Sequence, residues 1–283
     1  MLEITGQEAC STMLKIIVNC GACEAVIARC LDSLRSQCYS RWQAYVTLDP
    51  WGDRTLERAE AAGGSDARIR IYENRERRYA MRNLIAGVER SGSDPEDVIV
   101  VLDGDDWLAT PDALRIVVET YAQYDCWMTY GSWIADEARW QGIQRGMWPA
   151  YAAGTTDFRM AEWRGTALRT WKRWLWERID DRDFRDWRGN YFAVTEDRAA
   201  MLPMLEMSGT GKARHIAEAL MVYNRSNPQA CGKTRYDEMI ANACYLAARR
   251  PYARLNMQQC WTSPLAGGRI SAAGKCSLIN SMV

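Results

Sequence analysis

Three carboxylates stand close together where an apolar segment ends. Residues 98–109 read VIVVLDGDDWLA, so Asp103, Asp105 and Asp106 surround one glycine directly after five apolar residues. Like charges at this spacing repel one another, and a fold gains nothing from them unless a positive group lies between them. Hard oxygen ligands on a tight turn suit Mn²⁺ or Mg²⁺, which one or two carboxylates hold while substrate phosphates complete the shell. We therefore predict a metal–diphosphate site at Asp103 and Asp105.

A second acid ends another apolar segment and makes this prediction more specific. Asp49 follows WQAYVTL (42–48) directly. Open α/β sheets bind ligands beyond the carboxyl ends of their strands, which is where Asp49 and residues 103–106 are expected to gather. The sequence has no GxxxxGK[ST] segment and no GxGxxG after a strand, which argues against a P-loop nucleotidase and a dinucleotide-binding protein.

The elements that position these acids alternate between strand and helix patterns over residues 14–125. Because the strands are almost continuously apolar, the pattern predicts a mainly parallel α/β sheet with helices on both faces. In TPDALRIVVETYAQY, Thr110 is expected as the N-cap and Pro111 as the first helical residue. The expected strands are 14–19, 42–48, 68–72, 98–102 and 220–224, and the expected helices are 25–37, 81–90 and 110–124.

Residues 139–190 differ from the rest in composition. They hold seven of the 13 tryptophans and ten arginines, and the segment RTWKRWLWERI (169–179) reads as a helix. Two interpretations remain open: the tryptophans pack this helix onto the sheet, or aromatic rings and guanidinium groups form an acceptor-binding surface. In the second case Trp163, Arg169 and Trp171 are the candidate acceptor contacts.

Composition sets further limits. The net charge is zero, so the sequence gives no global electrostatic reason to expect a nucleic acid or a membrane as partner, although 31 of the 36 basic residues are arginine. We predict no membrane span, because no run of about 18 apolar residues occurs. The first residues lack a signal-peptide pattern, so a cytoplasmic location is expected. The ten cysteines are interpreted as free thiols rather than as disulfides or a zinc site.

Several segments resemble a known family. KIIVNCGACEAVIARCLDSLRSQCYSRWQAYVTLD, RRYAMRNLIAGVE and VIVVLDGDDWLA resemble the nucleotide-sugar half of family 2 glycosyltransferases with a GT-A fold. LRTWKRWLWERIDDRDF, TEDRAAMLPMLEMSG and HIAEALMVYNRSNP are similar to the group that includes collagen galactosyl- and glucosyltransferase domains and viral relatives. The resemblance implies a GT-A domain over 14–255, with a nucleotide-sugar half (14–130) and an acceptor half (131–255). An N-terminal extension (1–13) and a C-terminal tail (256–283) flank it.

The resemblance also implies roles for residues around the nucleotide. Asp103 and Asp105 match the Asp-x-Asp motif that contacts the ribose and the metal. Asp49 resembles the acid that recognises uracil, although DPWGDRT is one residue shorter than the usual loop. Arg82 and Asn83 resemble an Arg-Asn pair on the helix beside the nucleotide.

Two further roles have competing interpretations. Asp197 matches the acid that serves as catalytic base in inverting members, but it also fits a helix N-terminus capped by Thr195. Many relatives carry a metal-binding histidine in the turn after the late strand, where this chain has YNRSNP. The one histidine, His215, lies before that strand and is either a metal ligand or a structural residue.

The sequence therefore predicts a metal-dependent transferase that moves a hexose from a UDP-sugar, with Mn²⁺ or Mg²⁺, to an acceptor hydroxyl. The acceptor is a saccharide, a protein hydroxyl or a hydroxymethylated pyrimidine in phage-type DNA. The alternative is a non-catalytic nucleotide- or carbohydrate-binding module of the same fold.

Overall fold

One mixed sheet organises the chain. The computed structural model describes residues 11–136, 145–146 and 149–256. The first half contains β1 Leu14–Cys20, α1 Ile27–Arg35, β2 Trp42–Leu48, α2 Thr55–Gly63, β3 Ile69–Glu73, α3 Tyr79–Arg90, β4 Val98–Asp103, β5 Trp107–Leu108 and α4 Ala113–Tyr124. The second half contains β6 Met128–Ala135, β7 Arg145–Gly146, β8 Arg169–Lys172, α5 Arg173–Trp176, α6 Glu196–Lys212, β9 Ala213–Tyr223, α7 Cys231–Thr234 and α8 Tyr236–Ala247.

The strands lie in the order β3-β2-β1-β4-β8-β6-β9-β5, and β7 pairs with β6. Strands β1 to β4 are parallel, and β6 and β9 are parallel to each other. Strand β8 is antiparallel to both β4 and β6, and β5 is antiparallel to β9. The predicted mainly parallel α/β sheet is confirmed.

Alternation along the strands produces a core on each face of the sheet. In β1, Ile16 and Val18 belong to one buried cluster and Ile17 to the other. Helices α1, α2 and α4 cover the first face, and α3, α5, α6 and α8 cover the second. Burial on both faces explains why the central strands are apolar at nearly every position. Within the described ranges, no helix has the length and apolarity needed to cross a bilayer.

Several local predictions are corrected. The segment 169–179 is not one helix, because residues 169–172 form β8 between β4 and β6 and only the next four residues are helical. Helix α4 begins at Ala113 without a side-chain cap, rather than at Pro111. The late strand begins at Ala213, seven residues before the predicted start, and β6 was not predicted. The extension 1–13 and the tail 256–283 lie almost entirely outside the described residues.

A buried ion pair anchors α6, the helix that begins at Glu196. Arg159 donates to both Glu206 carboxylate oxygens, at 2.6 and 2.9 Å, and to the Leu246 carbonyl. Glu206 also accepts a hydrogen bond from the Tyr252 amide. Because the pair is almost completely buried, removing one partner would leave an uncompensated charge in the core.

Candidate active site

A cleft of about 450 Å³ opens at the carboxyl ends of the parallel strands. The ends of β1, β2 and β4, the N-termini of α3 and α6, and the segment after β9 all contribute to its walls. Arg169 is the only cation among the described residues that line it. Six acids also line it: Asp49, Asp103, Asp105, Asp106, Glu196 and Asp197. The cleft is therefore strongly acidic.

Strand register brings the Asp-x-Asp segment into this cleft. Asp103 lies opposite Asn19 in the β1–β4 ladder, and the Gly104 amide donates to the Asn19 carbonyl at 2.7 Å. A Cβ atom at Gly104 would lie 2.4 Å from the Cys20 sulfur, so glycine is required by the close approach of the two chains. This packing turns the chain sharply after Asp103 and presents Asp105 to the cleft.

Arg169 links two of the predicted site residues. Its Nη2 donates to Asp103 Oδ2 at 3.2 Å, and its Nη1 lies 3.8 Å from Asp197 Oδ2. Burial raises the pKa of Asp103, while the guanidinium acts in the opposite direction. Arg169 thus supplies part of the positive charge that the clustered acids require, and it connects the Asp-x-Asp segment to the N-terminus of α6.

The segment after β9 holds the other two acids of the cluster. Asn227 Nδ2 donates to Asp105 Oδ2 at 2.7 Å, and the Asn224 amide donates to Asp106 Oδ1 at 2.8 Å. Burial raises the pKa of Asp105 and raises that of Asp106 strongly, and the neighbouring carboxylates add to both effects. The other Asp106 oxygen is buried and has no hydrogen-bond partner among the residues that the structure describes.

The acids at 103–106 suit a divalent cation that a diphosphate helps to hold. In the described ranges, no group of three or more His, Cys, Asp or Glu side chains is placed to hold a metal ion by itself. Mg²⁺ and similar hard cations usually bind one or two protein carboxylates and take their remaining oxygens from substrate phosphates and water. Burial raises the pKa of Asp103 and Asp105, and a cation bound between them would lower it again because it favours their charged forms.

Asp49 is an organising residue of the cleft wall. It accepts hydrogen bonds from Asn74 Nδ2 and from the amides of Arg78 and Tyr79, all within 2.9 Å. Asn74 also donates to Asn83 Oδ1 at 2.8 Å. The carboxylate thereby fixes the start of α3, where Tyr79 has a φ of 61°. Its role towards uracil stays a prediction.

The N-terminus of α6 contributes two acids, of which the sequence indicated one. Asp197 accepts a hydrogen bond from the Arg198 amide at 2.7 Å. Glu196 also lines the cleft, and burial together with Asp197 and Asp103 raises its pKa to about 8. Both acids lie in the first turn of α6. Thr195 occupies the N-cap position with a φ of 72°, but its side chain makes no capping hydrogen bond.

Two predicted ligand-binding residues lie outside the cleft. Arg82 is exposed and is not part of the lining, in contrast to its neighbour Asn83. His215 lies in β9 opposite Tyr130, with the two rings 5.3 Å apart. The cleft meets β9 at Met221, six residues further along, which corresponds to roughly 20 Å of strand. Neither position supports the predicted role.

The three predicted acceptor contacts also include residues that lie outside the cleft. Trp171 is 1% exposed and stacks on Trp176 in the core, so its prediction as an acceptor contact is wrong. Trp163 is half-buried, lies outside the cleft lining and has the Arg198 guanidinium 5.0 Å from its ring. Of the three, only Arg169 lines the cleft. The tryptophans failed as indicators because packing and ligand binding select the same residue type.

Other cleft residues were missed by sequence reasoning. Asn19 and Trp51 line the cleft with buried side-chain nitrogen atoms that have no hydrogen-bond partner in the described part of the chain. Asn19 is the last residue but one of β1 and lies opposite Asp103, so its place near a strand end was a signal that could have identified it. The seven described cysteines form no disulfide with one another, and Cys20 and Cys23 lie in the cleft wall.

Comparisons with known proteins agree with this geometry. The family model described as "Glycosyl transferase family 2" matches residues 16–190. No curated protein is similar to the chain by sequence search. Many solved structures share the fold, and all three named below are less than 25% identical to this chain.

The first of these structures is Staphylococcus aureus TarS residues 1–349 in complex with UDP-GlcNAc. It is 13% identical with a TM-score of 0.58, and the match covers 76% of this chain and 59% of that one. The present chain thus spans about three fifths of that relative.

Two further structures match over more of their length. The mannosyltransferase PcManGT from Pyrobaculum calidifontis, in complex with GDP-Man and Mn²⁺, is 16% identical with a TM-score of 0.60, covering 86% of this chain and 67% of that one. Glucosyl-3-phosphoglycerate synthase from Mycobacterium tuberculosis, in complex with Mn²⁺, UDP and phosphoglyceric acid, is 14% identical with a TM-score of 0.59, covering 88% and 84%. The shared fold is GT-A.

Proposed function

Because the chain belongs to glycosyl transferase family 2, we propose that it transfers a hexose from a UDP-sugar to an acceptor hydroxyl with the help of a divalent cation. The observation that carries this proposal is the cleft itself. In it Asp103 and Asp105, at the end of β4, face Asp197, at the start of α6, and Arg169 joins the two sides.

The donor assignment draws on the related structures. TarS binds UDP-GlcNAc, the synthase binds UDP with Mn²⁺, and the mannosyltransferase binds GDP-Man with Mn²⁺. The nucleobase therefore varies among proteins of this fold. The resemblance of Asp49 and the Arg82-Asn83 segment to a uridine site favours UDP, although only Asp49 and Asn83 line the cleft.

Asp103 and Asp105 are the proposed ligands of the cation, Mn²⁺ or Mg²⁺. A bound cation would neutralise the charge that develops on the diphosphate leaving group. Asn227, in the turn where many relatives carry a histidine, already contacts Asp105 at 2.7 Å. This contact supports a role for the YNRSNP turn in closing the same site without a histidine.

Asp197 is the proposed general base. In a single displacement the acceptor oxygen attacks the anomeric carbon, the bond from that carbon to UDP breaks, and Asp197 takes the hydroxyl proton. The configuration at the anomeric carbon is inverted. Glu196 is less suited to this role at neutral pH, because its pKa of about 8 keeps it protonated.

The proposed acceptor class follows from the burial of the tryptophans. The abundance of tryptophans and arginines in 139–190 is the sequence feature that favours a hydroxymethylated pyrimidine in DNA. Burial of Trp171, Trp174 and Trp176 removes three of those tryptophans from any base-stacking surface. We therefore favour a saccharide or protein hydroxyl. As part of the same proposal, we infer that the second half of the chain is related to the collagen-type transferases.

Turnover distinguishes the enzyme from a non-catalytic module of the same fold. Purified protein is incubated with Mn²⁺ and UDP-glucose, UDP-galactose or UDP-N-acetylglucosamine. The measured quantity is the UDP that forms when water serves as the acceptor. We expect slow release with at least one donor, and a loss of at least about tenfold in Asp197→Asn. Asp32→Asn, an exposed acid on α1, is the matched control. UDP binding without release from any donor would favour the binding module.

A further inference from the structure

Five side chains that line the cleft have buried polar atoms with no partner among the described residues: Asn19, Trp51, Asp106, Arg169 and Thr195. In Asn19, Arg169 and Thr195 these atoms are both polar atoms of the carboxamide, Nε and Oγ1, respectively. Arg169 and Thr195 are more than nine-tenths buried, and all three residues line the cleft. Buried polar atoms nearly always have a partner in native proteins, so an unpartnered set that faces one cleft indicates a ligand.

The three side chains surround one region of the cleft. Asn19 is the ladder partner of Asp103, and Arg169 Nη2 lies 3.2 Å from the carboxylate of Asp103. On the other side, Arg169 Nη1 lies 3.8 Å from Asp197, which follows Thr195 by two residues. The region thus lies between the proposed metal ligands and the proposed base. In a glycosyl transfer, the sugar must occupy the space between the diphosphate and the base.

The chemistry of these groups fits sugar hydroxyls. A carboxamide donates and accepts, a guanidinium Nε donates, and a hydroxyl does either, which matches the mixed capacity of sugar hydroxyl groups. The six acids against one arginine in the lining make the cleft unfavourable for an anionic sugar. Thr195 is held in the left-handed region at a φ of 72°, which is uncommon for a β-branched residue and typical of functional sites.

We propose that Asn19, Arg169 and Thr195 form the subsite for the transferred sugar and that it takes a neutral hexose or N-acetylhexosamine rather than a uronic acid. This inference rests on the proposed function. Asn19 and Thr195 are the specificity-determining residues of this subsite. Unlike Arg169, neither of them forms an ion pair with the surrounding acids.

Calorimetric binding separates the sugar from the nucleotide. UDP, UDP-glucose, UDP-N-acetylglucosamine and UDP-glucuronate are titrated into the full chain with Mn²⁺, and each dissociation constant is divided by that for UDP. For the neutral sugar with the lowest ratio, we expect Asn19→Ala and Thr195→Val to raise the ratio about tenfold for each lost hydrogen bond. Both variants should bind UDP itself within about twofold of the wild type, and Thr195→Ser should restore the original ratio.

Matched controls lie away from the cleft. Gln43→Ala removes an amide that contacts Lys15, and Thr120→Val removes a hydroxyl that donates within α4. Both controls should leave all ratios unchanged. Unchanged ratios in Asn19→Ala and Thr195→Val, or a lower ratio for UDP-glucuronate than for the neutral sugars, would overturn the inference while leaving the proposed function intact. A failure of the wild type to bind UDP would instead contradict the proposed function.

Discussion

At the scale of single residues, Arg169 compensates part of the negative charge that the acids of the cleft bring into the folded protein. Its guanidinium contacts Asp103 at 3.2 Å and lies 3.8 Å from Asp197, so two carboxylates share one buried cation. Asp49, Asp105 and Asp106 accept hydrogen bonds from neutral groups, including the Asn227 side-chain amide on Asp105. The site therefore keeps an excess of negative charge, which a metal ion would reduce.

Removal of Arg169 should destabilise the metal-free protein. We expect Arg169→Met to lower the free energy of unfolding by about 1–3 kcal/mol, because the buried Asp103 loses a charged partner. Added Mn²⁺ should raise the melting temperature of the variant more than that of the wild type, since the cation replaces the lost charge. Thermal unfolding with EDTA and with Mn²⁺ checks this. Arg35→Met, at an exposed pair, is the control, and an equal Mn²⁺ response in both proteins would contradict the expectation.

Glu196 should give the metal-free protein a distinct pH dependence. Its pKa is raised from 4.5 to about 8 in the folded state, so the folded protein retains a proton that the unfolded chain releases. The contribution of Glu196 is fully present below pH 4.5, and the free energy of unfolding falls as the pH rises from there to about 8.

The substitution Glu196→Gln removes this contribution. Relative to the wild type, the variant should be more stable at pH 8.5 than at pH 5, as measured by urea denaturation in EDTA. The exposed Glu76→Gln should show no such difference. If the stability difference between Glu196→Gln and the wild type were the same at both pH values, Glu196 would not carry the shifted pKa.

At the scale of elements, the turn after β4 depends on its contact with β1. Gly104 packs against the Cys20 side chain and the Asn19 carbonyl, and this contact sets where Asp103 and Asp105 stand. The glycine has no positive φ, so its role is steric. The neighbouring strand β1 is therefore what requires a glycine at this position.

A double-mutant cycle tests this packing. Gly104→Ala should destabilise the protein by about 1–3 kcal/mol, because its Cβ would lie 2.4 Å from the Cys20 sulfur. Cys20→Ala removes that sulfur, so the double variant should be more stable than the sum of the single effects predicts. Chemical denaturation of the four proteins gives the coupling. Strict additivity would show that the Cys20 sulfur is not the obstacle.

At the scale of the whole molecule, the sequence predicted the elements of the first half better than those of the second half. Continuous apolar runs indicated β1, β2 and β4, and the acids at the ends of β2 and β4 placed Asp49, Asp103 and Asp105 at one edge of the sheet. In the second half, Trp171 and Trp174 stand three residues apart, which favoured a helix. Pairing of residues 169–172 with both β4 and β6 overrides that local pattern, and such non-local contacts cannot be read from spacing.

The same reason explains which site residues were missed. Asn19 and Glu196 have no distinctive sequence motif of their own, and they become notable only when β1 and α6 meet across the cleft. Conversely, His215 was noted because it is the single histidine, and the direction of β9 carries it away from the cleft. Residue type identified the candidate site residues, and the arrangement of strands and helices determined which of them line the cleft.

The central claim is that Asp103 and Asp105 hold a cation together with a nucleotide diphosphate. Calorimetric titration of UDP into the full chain, with Mn²⁺ and with EDTA, tests it most directly, using Asp105→Ala and the exposed control Asp32→Ala. We predict that the wild type and Asp32→Ala bind UDP at least about tenfold more tightly with Mn²⁺ than with EDTA, and that Asp105→Ala loses this difference. Equal UDP affinity with and without Mn²⁺ in the wild type, or an undiminished Mn²⁺ effect in Asp105→Ala, would contradict the account.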